Sequence, residues 1–488
     1  MKRQNPPTVL RSELAEWVEP AAAFQALHGG SAYAFWLDCG TDAASGISYM
    51  GAPEPGSRIV TASVLSGTVE VRRLGSPEPS EPADTIDGTV FDFLRNELPL
   101  SDRGATPDTE PARFELGWVG WLGYELGAQT VGTPTHPSSS PDAALLEIDR
   151  ALAFDHATRT VTLLLRGGAD GSGAGALQRW HSEVEHALAA AASAPPAGSP
   201  AGSPPREAAA PAVRWRHGPD RYAELIAECQ AAIHRGDAYQ LCLTNEISVD
   251  AHPEPLEAYL TLRASSPTHH GGLLRFGEIS LLSASPEQFL AVTAAGHVTT
   301  KPIKGTRKRA SGLARDLELR AELESSEKER AENLMIVDLM RNDIGKIARL
   351  GSVGVSKLLT VESYAHVHQL VSTIEAELAE GLSGIDAVEA SFPAGSMTGA
   401  PKISAMRILD GLEAGPRGIY SGAFGYVGLD GAVDLAMVIR SIVLDAAGAR
   451  IGTGGGITAL SIAAEEIEET QIKARALLAV LGVATPAG

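Results

Sequence analysis

The chain has 488 residues, 44% of them hydrophobic, and a formal net charge of −20, so it can bury a sizeable core and is too acidic for a protein that tracks nucleic-acid phosphates. Its three cysteines, Cys39, Cys229 and Cys242, fit neither a zinc site nor a disulfide framework and read as buried hydrophobes. No signal-like run opens the chain and no stretch reaches about 18 uninterrupted apolar residues, so no membrane contact and a cytoplasmic address are expected.

Between residues 31 and 71, short apolar runs alternate with breaks such as Ser45-Gly46 and Ser66-Gly67, which predicts strands at 33–37, 58–60 and 69–71. A helix is expected over 90–98. The segment 114–125 mixes tryptophans with glycines and reads as a tightly packed core strand and bend, because glycine allows close backbone approach while tryptophan fills volume. Strands are expected again at 151–154 and 160–165. Residues 189–212 then turn to Ala, Pro, Ser and Gly, a composition that buries too little apolar surface to offset its ordering entropy. A linker there divides the chain into an N-terminal region, 1–188, and a C-terminal domain, 213–488.

After the linker, a helix over 220–235 carries Tyr222, Leu225, Ile226, Cys229 and Ile233 on one face. A strand over 238–249 holds Gln240, a helix follows over 254–264, and strands at 272–276 and 279–283 pair as a hairpin. Hairpins interleaved with helices point to an α+β fold rather than a parallel sheet.

Lys304 stands between Pro302 and Gly305, residues that stiffen one side of a turn and free the other. Most lysines in such turns are surface charges, and what distinguishes this one lies downstream. A helix over 330–341, capped by Ser325-Ser326, is apolar nearly all round yet carries Glu329 and Glu332 three residues apart. Glu466 and Glu469 repeat that spacing at the head of a C-terminal helix, with Lys473 one turn on. Two such pairs suit Mg²⁺, which takes one or two carboxylates plus waters and substrate oxygens, better than zinc. A glycine run, Gly454-Gly455-Gly456, would offer backbone N–H groups to an anion from a loop. Arg440, expected in an apolar strand over 436–441, needs a carboxylate partner from either the protein or a ligand. A second small-residue turn, 395–402, contains Thr398 and Lys402, and Tyr420 follows.

With Pro302-Ile303-Lys304-Gly305-Thr306, the run from Glu329 to Leu339, the Gly-Ala-Pro-Lys turn, Tyr420, Arg440 and Glu469-Thr470, the chain resembles the chorismate-utilising enzymes over about 219–481. These include component I of anthranilate synthase and of aminodeoxychorismate synthase, and the isochorismate and salicylate synthases. The Gly-Trp-Val-Gly-Trp-Leu-Gly-Tyr-Glu stretch at 117–125 extends the resemblance into the N-terminal half. The resemblance implies an anthranilate synthase component I-like fold, two large antiparallel sheets packed face to face and flanked by helices, with the two halves of the chain interwoven.

It further implies that Glu332 and Glu469 bind Mg²⁺ with Glu329 and Glu466 behind them. Arg440, Tyr420 and the amides of Gly454, Gly455 and Gly456 would grip the enolpyruvyl carboxylate, and Glu287 would be the acid that helps the C4 hydroxyl leave. Thr306, Gln240, Thr398 and Lys473 complete the expected substrate contacts. Gln240 stands where the hydrating members carry a water-activating lysine. Lys304 stands where anthranilate synthases typically have alanine and resembles the nucleophilic lysine of the aminodeoxychorismate synthases. An attacking amine must be neutral, a state that cations such as Lys301 and Arg307 would favour. Gln369 replaces a histidine the family often shows. No glutaminase elbow surrounds any cysteine, so ammonia for C4 amination on the way to 4-aminobenzoate and folate would come from a glutamine amidotransferase partner or from solution. The alternatives are an anthranilate synthase component I and a non-catalytic homologue that binds chorismate or an effector.

Overall fold

The computed structural model describes residues 8–41, 43–75, 83–98, 111–168, 172–193, 211–364 and 366–484. Among these, twenty-four strands form two twelve-stranded sheets whose paired strands are all antiparallel. From one edge, the first sheet runs Val9–Glu13, Thr160–Arg166, Arg150–Asp155, Ile47–Gly51, Tyr33–Asp38, His270–Phe276, Ile279–Ser285, Ser441–Asp445, Gly448–Ile457, Gln240–Val249 and Val213–Trp215, with Gly399–Ala400 also on Gln240–Val249. The second runs Ile303–Lys308, Val367–Glu377, His297–Thr300, Gln288–Val292, Val433–Met437, Ala423–Gly428, Gly117–Leu122, Ala143–Ile148, Arg58–Ser63, Thr68–Arg73 and Asp84–Asp87, with Gly354–Ser363 also on Val367–Glu377.

Both halves of the chain supply strands to both sheets. The seam in the first sheet is Tyr33–Asp38 against His270–Phe276, and in the second Gly117–Leu122 against Ala423–Gly428. Between the sheets lies a shared apolar layer in which Phe35, Leu274 and Leu281 meet Trp121, Phe424 and Tyr426. Helices cover the outer faces. Pro20–His28, Ala174–Ser193, Pro255–Ser265 and Ala463–Val480 pack on the first sheet, and Val90–Glu97, Glu327–Gly345 and Gly384–Ser391 on the second.

Local sequence explains several of these elements. Thr89 and Asp92 close a reciprocal capping box on Val90–Glu97, and Pro219–His234 buries Tyr222, Leu225, Ile226 and Cys229 on a single face. Elsewhere the expectations need correction. Ala174–Ser193 continues as helix five residues into the stretch expected as linker, and 194–210 lie outside the described residues. Glu327–Gly345 is amphipathic rather than buried all round. It lies on one sheet face, which takes Ile336, Val337, Met340 and Ile344, and leaves Leu334 44% exposed. Ser326 occupies its N-cap position, but the side chain makes no capping hydrogen bond. All three cysteines are free, with Cys229 and Cys242 buried and Cys39 partly so. No helix among the described residues is long and apolar enough to cross a membrane.

Candidate active site

A cavity of about 380 Å³ is walled by Ile303–Lys308, the glycine-rich end of Gly448–Ile457, and the first turns of the helices Glu327–Gly345 and Ala463–Val480. Into it come Lys304, Thr306, Glu287, Gln369, Tyr420 and Arg440, together with the four glutamates, the three glycines and Lys473.

Lys304 lies in a strand rather than a turn. The ladder from Ile303–Lys308 to Val367–Glu377 slips by one residue, so that Lys304 faces Leu370 while Thr306 faces Gln369. Gly305, at φ 77°, is the extra residue of this bulge, a device that re-aims neighbouring side chains. A Cβ on Gly305 would also stand 2.7 Å from Glu329 Cδ and from Leu323 Cδ1, so glycine is required for space as well as for backbone angle. The Lys304 amine makes no hydrogen bond or ion pair among the described residues, and its charge reaches Glu287, Glu332 and Glu469. Arg307 does not act as a bare cation beside it, because its guanidinium is held by Glu322 and Glu329, each at 2.9 Å.

The glycine run is a strand, not a loop. Gly452 to Ile457 pair residue by residue with Gln240–Val249, and this ladder outweighs the low strand preference of glycine. On the other side, the pairing with Ser441–Asp445 stops at Ile442–Ile451, so the vacated edge of Gly452–Gly456 faces the cavity with its backbone groups. Gly452 lets the Tyr420 ring lie directly against the strand, since a Cβ there would overlap the ring. Arg440 is not within a strand. It sits at the point of departure, between Val433–Met437 and Ser441–Asp445, in the left-handed region at φ 52°. Burial lowers its pKa, opposed by Tyr420 and Glu469, yet among the described residues no carboxylate or hydrogen-bond acceptor pairs with it. Of its two expected partner types, the protein carboxylate is missing, and an anion entering the cavity is the remaining one.

Glu287 is 8% exposed and its pKa is pushed up to about 6 by burial, against the Lys304 charge and a hydrogen bond from Ser396. A carboxyl in that range keeps its proton up to about pH 6, well above an ordinary glutamate, and can release it.

The acidic wall draws on both helices. Glu466 is buried and pairs with Lys328 at 3.5 Å; Glu469 pairs with Lys473 at 2.6 Å, and Lys473 also donates to the Gly454 carbonyl at 2.7 Å. Glu329 is taken by Arg307. Glu332 has no ion pair among the described residues, and burial raises its pKa, with Glu469 and Glu466 adding to the effect. Among the described residues no three His, Cys, Asp or Glu are gathered closely enough to hold a metal by themselves. The donors are nevertheless all hard oxygens, and a half-buried carboxylate repelled by two others is what a divalent cation relieves. In donor chemistry they fit Mg²⁺, which needs only one or two carboxylates besides water and substrate.

Two expected contacts are not in the cavity wall. Thr398 is fully buried and its hydroxyl donates to the Ala394 and Gly395 carbonyls, so it serves the turn that places Ser396 and Met397 at the cavity. Gln240 lies behind Gly456, 1% exposed, with its Oε1 lacking a partner among the described residues. Lys402 is structural too: its ammonium is buried against Asp343 at 2.5 Å and the Ser391 and Pro393 carbonyls at 2.8 Å. Conversely, the cavity includes Lys328 and Ser396, which the sequence reading passed over. Lys328 was detectable, standing four residues before Glu332 on one helix face. Ser396 carried no local signal, because its partner Glu287 is 109 residues away in the chain.

Comparison with known proteins bears on this geometry. The model of the chorismate binding enzyme family matches residues 61–479. An aminodeoxychorismate synthase of Streptomyces pristinaespiralis is 43% identical over 465 residues, 94% of this chain and 63% of that protein. Its counterpart in Streptomyces griseus is 44% identical over 487 residues, 98% of this chain and 65% of that protein. The chain thus spans just under two thirds of the length of these relatives. Anthranilate synthase component 1 of Streptomyces coelicolor is 37% identical over 441 residues, 88% of this chain and 84% of that protein. Among solved structures, anthranilate synthase component I of Streptococcus pneumoniae superposes with a TM-score of 0.72 at 27% identity, covering 96% of this chain and 99% of that one.

Proposed function

The chain belongs to the chorismate binding enzyme family, and from that membership we propose that it aminates chorismate at C4 to give 4-amino-4-deoxychorismate, a precursor of 4-aminobenzoate and folate. The observation that carries the reading is the unpaired Lys304 amine, aimed by the Gly305 bulge into the cavity that also holds Glu287 and Arg440.

In this reading Arg440, Tyr420 and the free edge of the glycine strand hold the enolpyruvyl carboxylate, where a guanidinium without a protein partner gains most from an anion. Lys304 Nζ attacks C2 as a neutral amine, the ring double bonds shift, and the C4–O bond breaks. Glu287 delivers its proton to the departing hydroxyl, which leaves as water. Ammonia then adds at C4, the double bonds shift back, and the C2–N bond breaks to return Lys304 as an amine. Glu332 and Glu469 would hold Mg²⁺, with Glu329 and Glu466 behind them, and the ion would neutralise the ring carboxylate. The ammonia comes from a glutamine amidotransferase or from solution. The cytosol is the setting, where three free cysteines stay reduced.

The test is incubation with chorismate, Mg²⁺ and an ammonium salt, with and without aminodeoxychorismate lyase. Pyruvate and 4-aminobenzoate are expected only with the lyase, and Lys304→Ala is expected to abolish them. Pyruvate and fluorescent anthranilate without the lyase would establish the anthranilate synthase reading instead, and unchanged chorismate the non-catalytic one.

A further inference from the structure

The helices that present the glutamates also present two lysines, held in different ways. Lys473 pairs with Glu469 and donates to the Gly454 carbonyl, so a strand backbone fixes it, and its release would strip that carbonyl of its donor. Lys328, in the first turn of Glu327–Gly345, reaches across to the other helix. Its ion pair is to Glu466 Oε1 at 3.5 Å, and its side chain remains 55% exposed against 3% for Glu466. The ammonium is under the influence of Glu466, Glu332 and Glu469 together. The other cations acting on these carboxylates are Lys304, from the strand opposite, the anchored Lys473 and, toward Glu469, Arg440. Arg307 is engaged by Glu322 and Glu329.

A loosely held ammonium among three carboxylates stands where a divalent ion shared by the same two helices must come. Both cannot stay close, because like charges a few ångströms apart in a half-buried site repel strongly. We propose that Lys328 is a tethered competitor of the metal: it balances Glu466, Glu332 and Glu469 until the divalent cation enters, then swings out to solvent. The proposal rests on the metal reading given above and goes beyond it, since it concerns what limits the affinity of that site rather than which residues ligate.

The test is a Mn²⁺ titration without substrate, reading free Mn²⁺ by electron paramagnetic resonance. The proteins compared are the unaltered chain, Lys328→Gln, Lys328→Ala, Lys328→Arg and the double variant Glu332→Gln/Glu469→Gln. Lys328 is half-exposed, so its replacement leaves no internal void, and a melting curve for each variant checks folding. Removing the charge is expected to tighten Mn²⁺ binding about tenfold in both the Gln and the Ala variant, while Lys328→Arg stays within about threefold of the unaltered chain. The double variant is expected to lose binding. Should the double variant bind like the unaltered chain, the metal reading itself falls. Should it lose Mn²⁺ while the neutral Lys328 variants bind no tighter, the competition is overturned and the metal reading stands.

Discussion

Glu287 joins two demands that pull on one carboxyl. As the proposed acid it must carry a proton in the working pH range, and burial supplies this by raising its pKa from 4.5 to about 6. The same burial makes the charged form costly. The unfolded chain releases this proton near pH 4.5 and the folded chain near pH 6, so the folded state binds more protons in between. The stabilisation is therefore complete below about pH 4.5 and is lost as the pH rises through about 6. A shift of that size corresponds to about 2 kcal/mol. Glu287→Gln is accordingly expected to raise stability at pH 8 by up to about 2 kcal/mol, with the gain fading toward pH 4.5, while lowering kcat by about 10²-fold or more. Urea unfolding at the two pH values and steady-state rates check the two halves separately. A variant destabilised at pH 8 would mean that the carboxylate is stabilised by its neighbours rather than strained.

At the scale of elements, the bulge at Gly305 does the positioning. Gly305→Ala puts a β-carbon into a left-handed conformation, at about 1–2 kcal/mol, and pushes it against Glu329 and the buried Leu323. The expected result is a lower melting temperature and a fall in kcat of at least about tenfold with a smaller change in KM, because Lys304 is re-aimed while Arg440 and the glycine strand stay in place. A variant with unchanged kcat would show that the bulge does not set the lysine's direction. This glycine was legible in the sequence as a special backbone position, and so was the amphipathic face of Pro219–His234, because each is decided by neighbours a few residues away. The glycine run was misread as a loop, since its strand character comes from a ladder to residues some 210 positions earlier. Arg440 was expected inside one strand, but that strand ends at Met437, three residues before it, and the next begins at Ser441 in the other sheet, so Arg440 sits on the crossing between sheets. Thr398 and Gln240 looked like site residues from motif position alone, and only three-dimensional packing reveals that each serves the wall from behind.

At the scale of the whole molecule, the two halves share both sheets and the layer between them, so the C-terminal half should not exist as a separate folded body even though it supplies Lys304, Glu287, Arg440 and all four glutamates. Residues 213–488 alone would expose the strand edge of His270–Phe276, left by Tyr33–Asp38, and that of Ala423–Gly428, left by Gly117–Leu122. They would also lose Phe35, Phe114 and Trp121 from the inter-sheet layer, three large side chains each worth roughly 1.5–3 kcal/mol of burial. Long unpaired edges beside a bare apolar face favour aggregation. The fragment 213–488 is therefore expected to be insoluble when expressed alone and soluble when co-expressed with 1–212. A protease site engineered into 194–210 should yield, after cleavage, two pieces that elute together and melt in one transition. Recovery of 213–488 as a soluble monomer with its own cooperative melt would mean that the shared sheets are a contact between two domains rather than one folding unit.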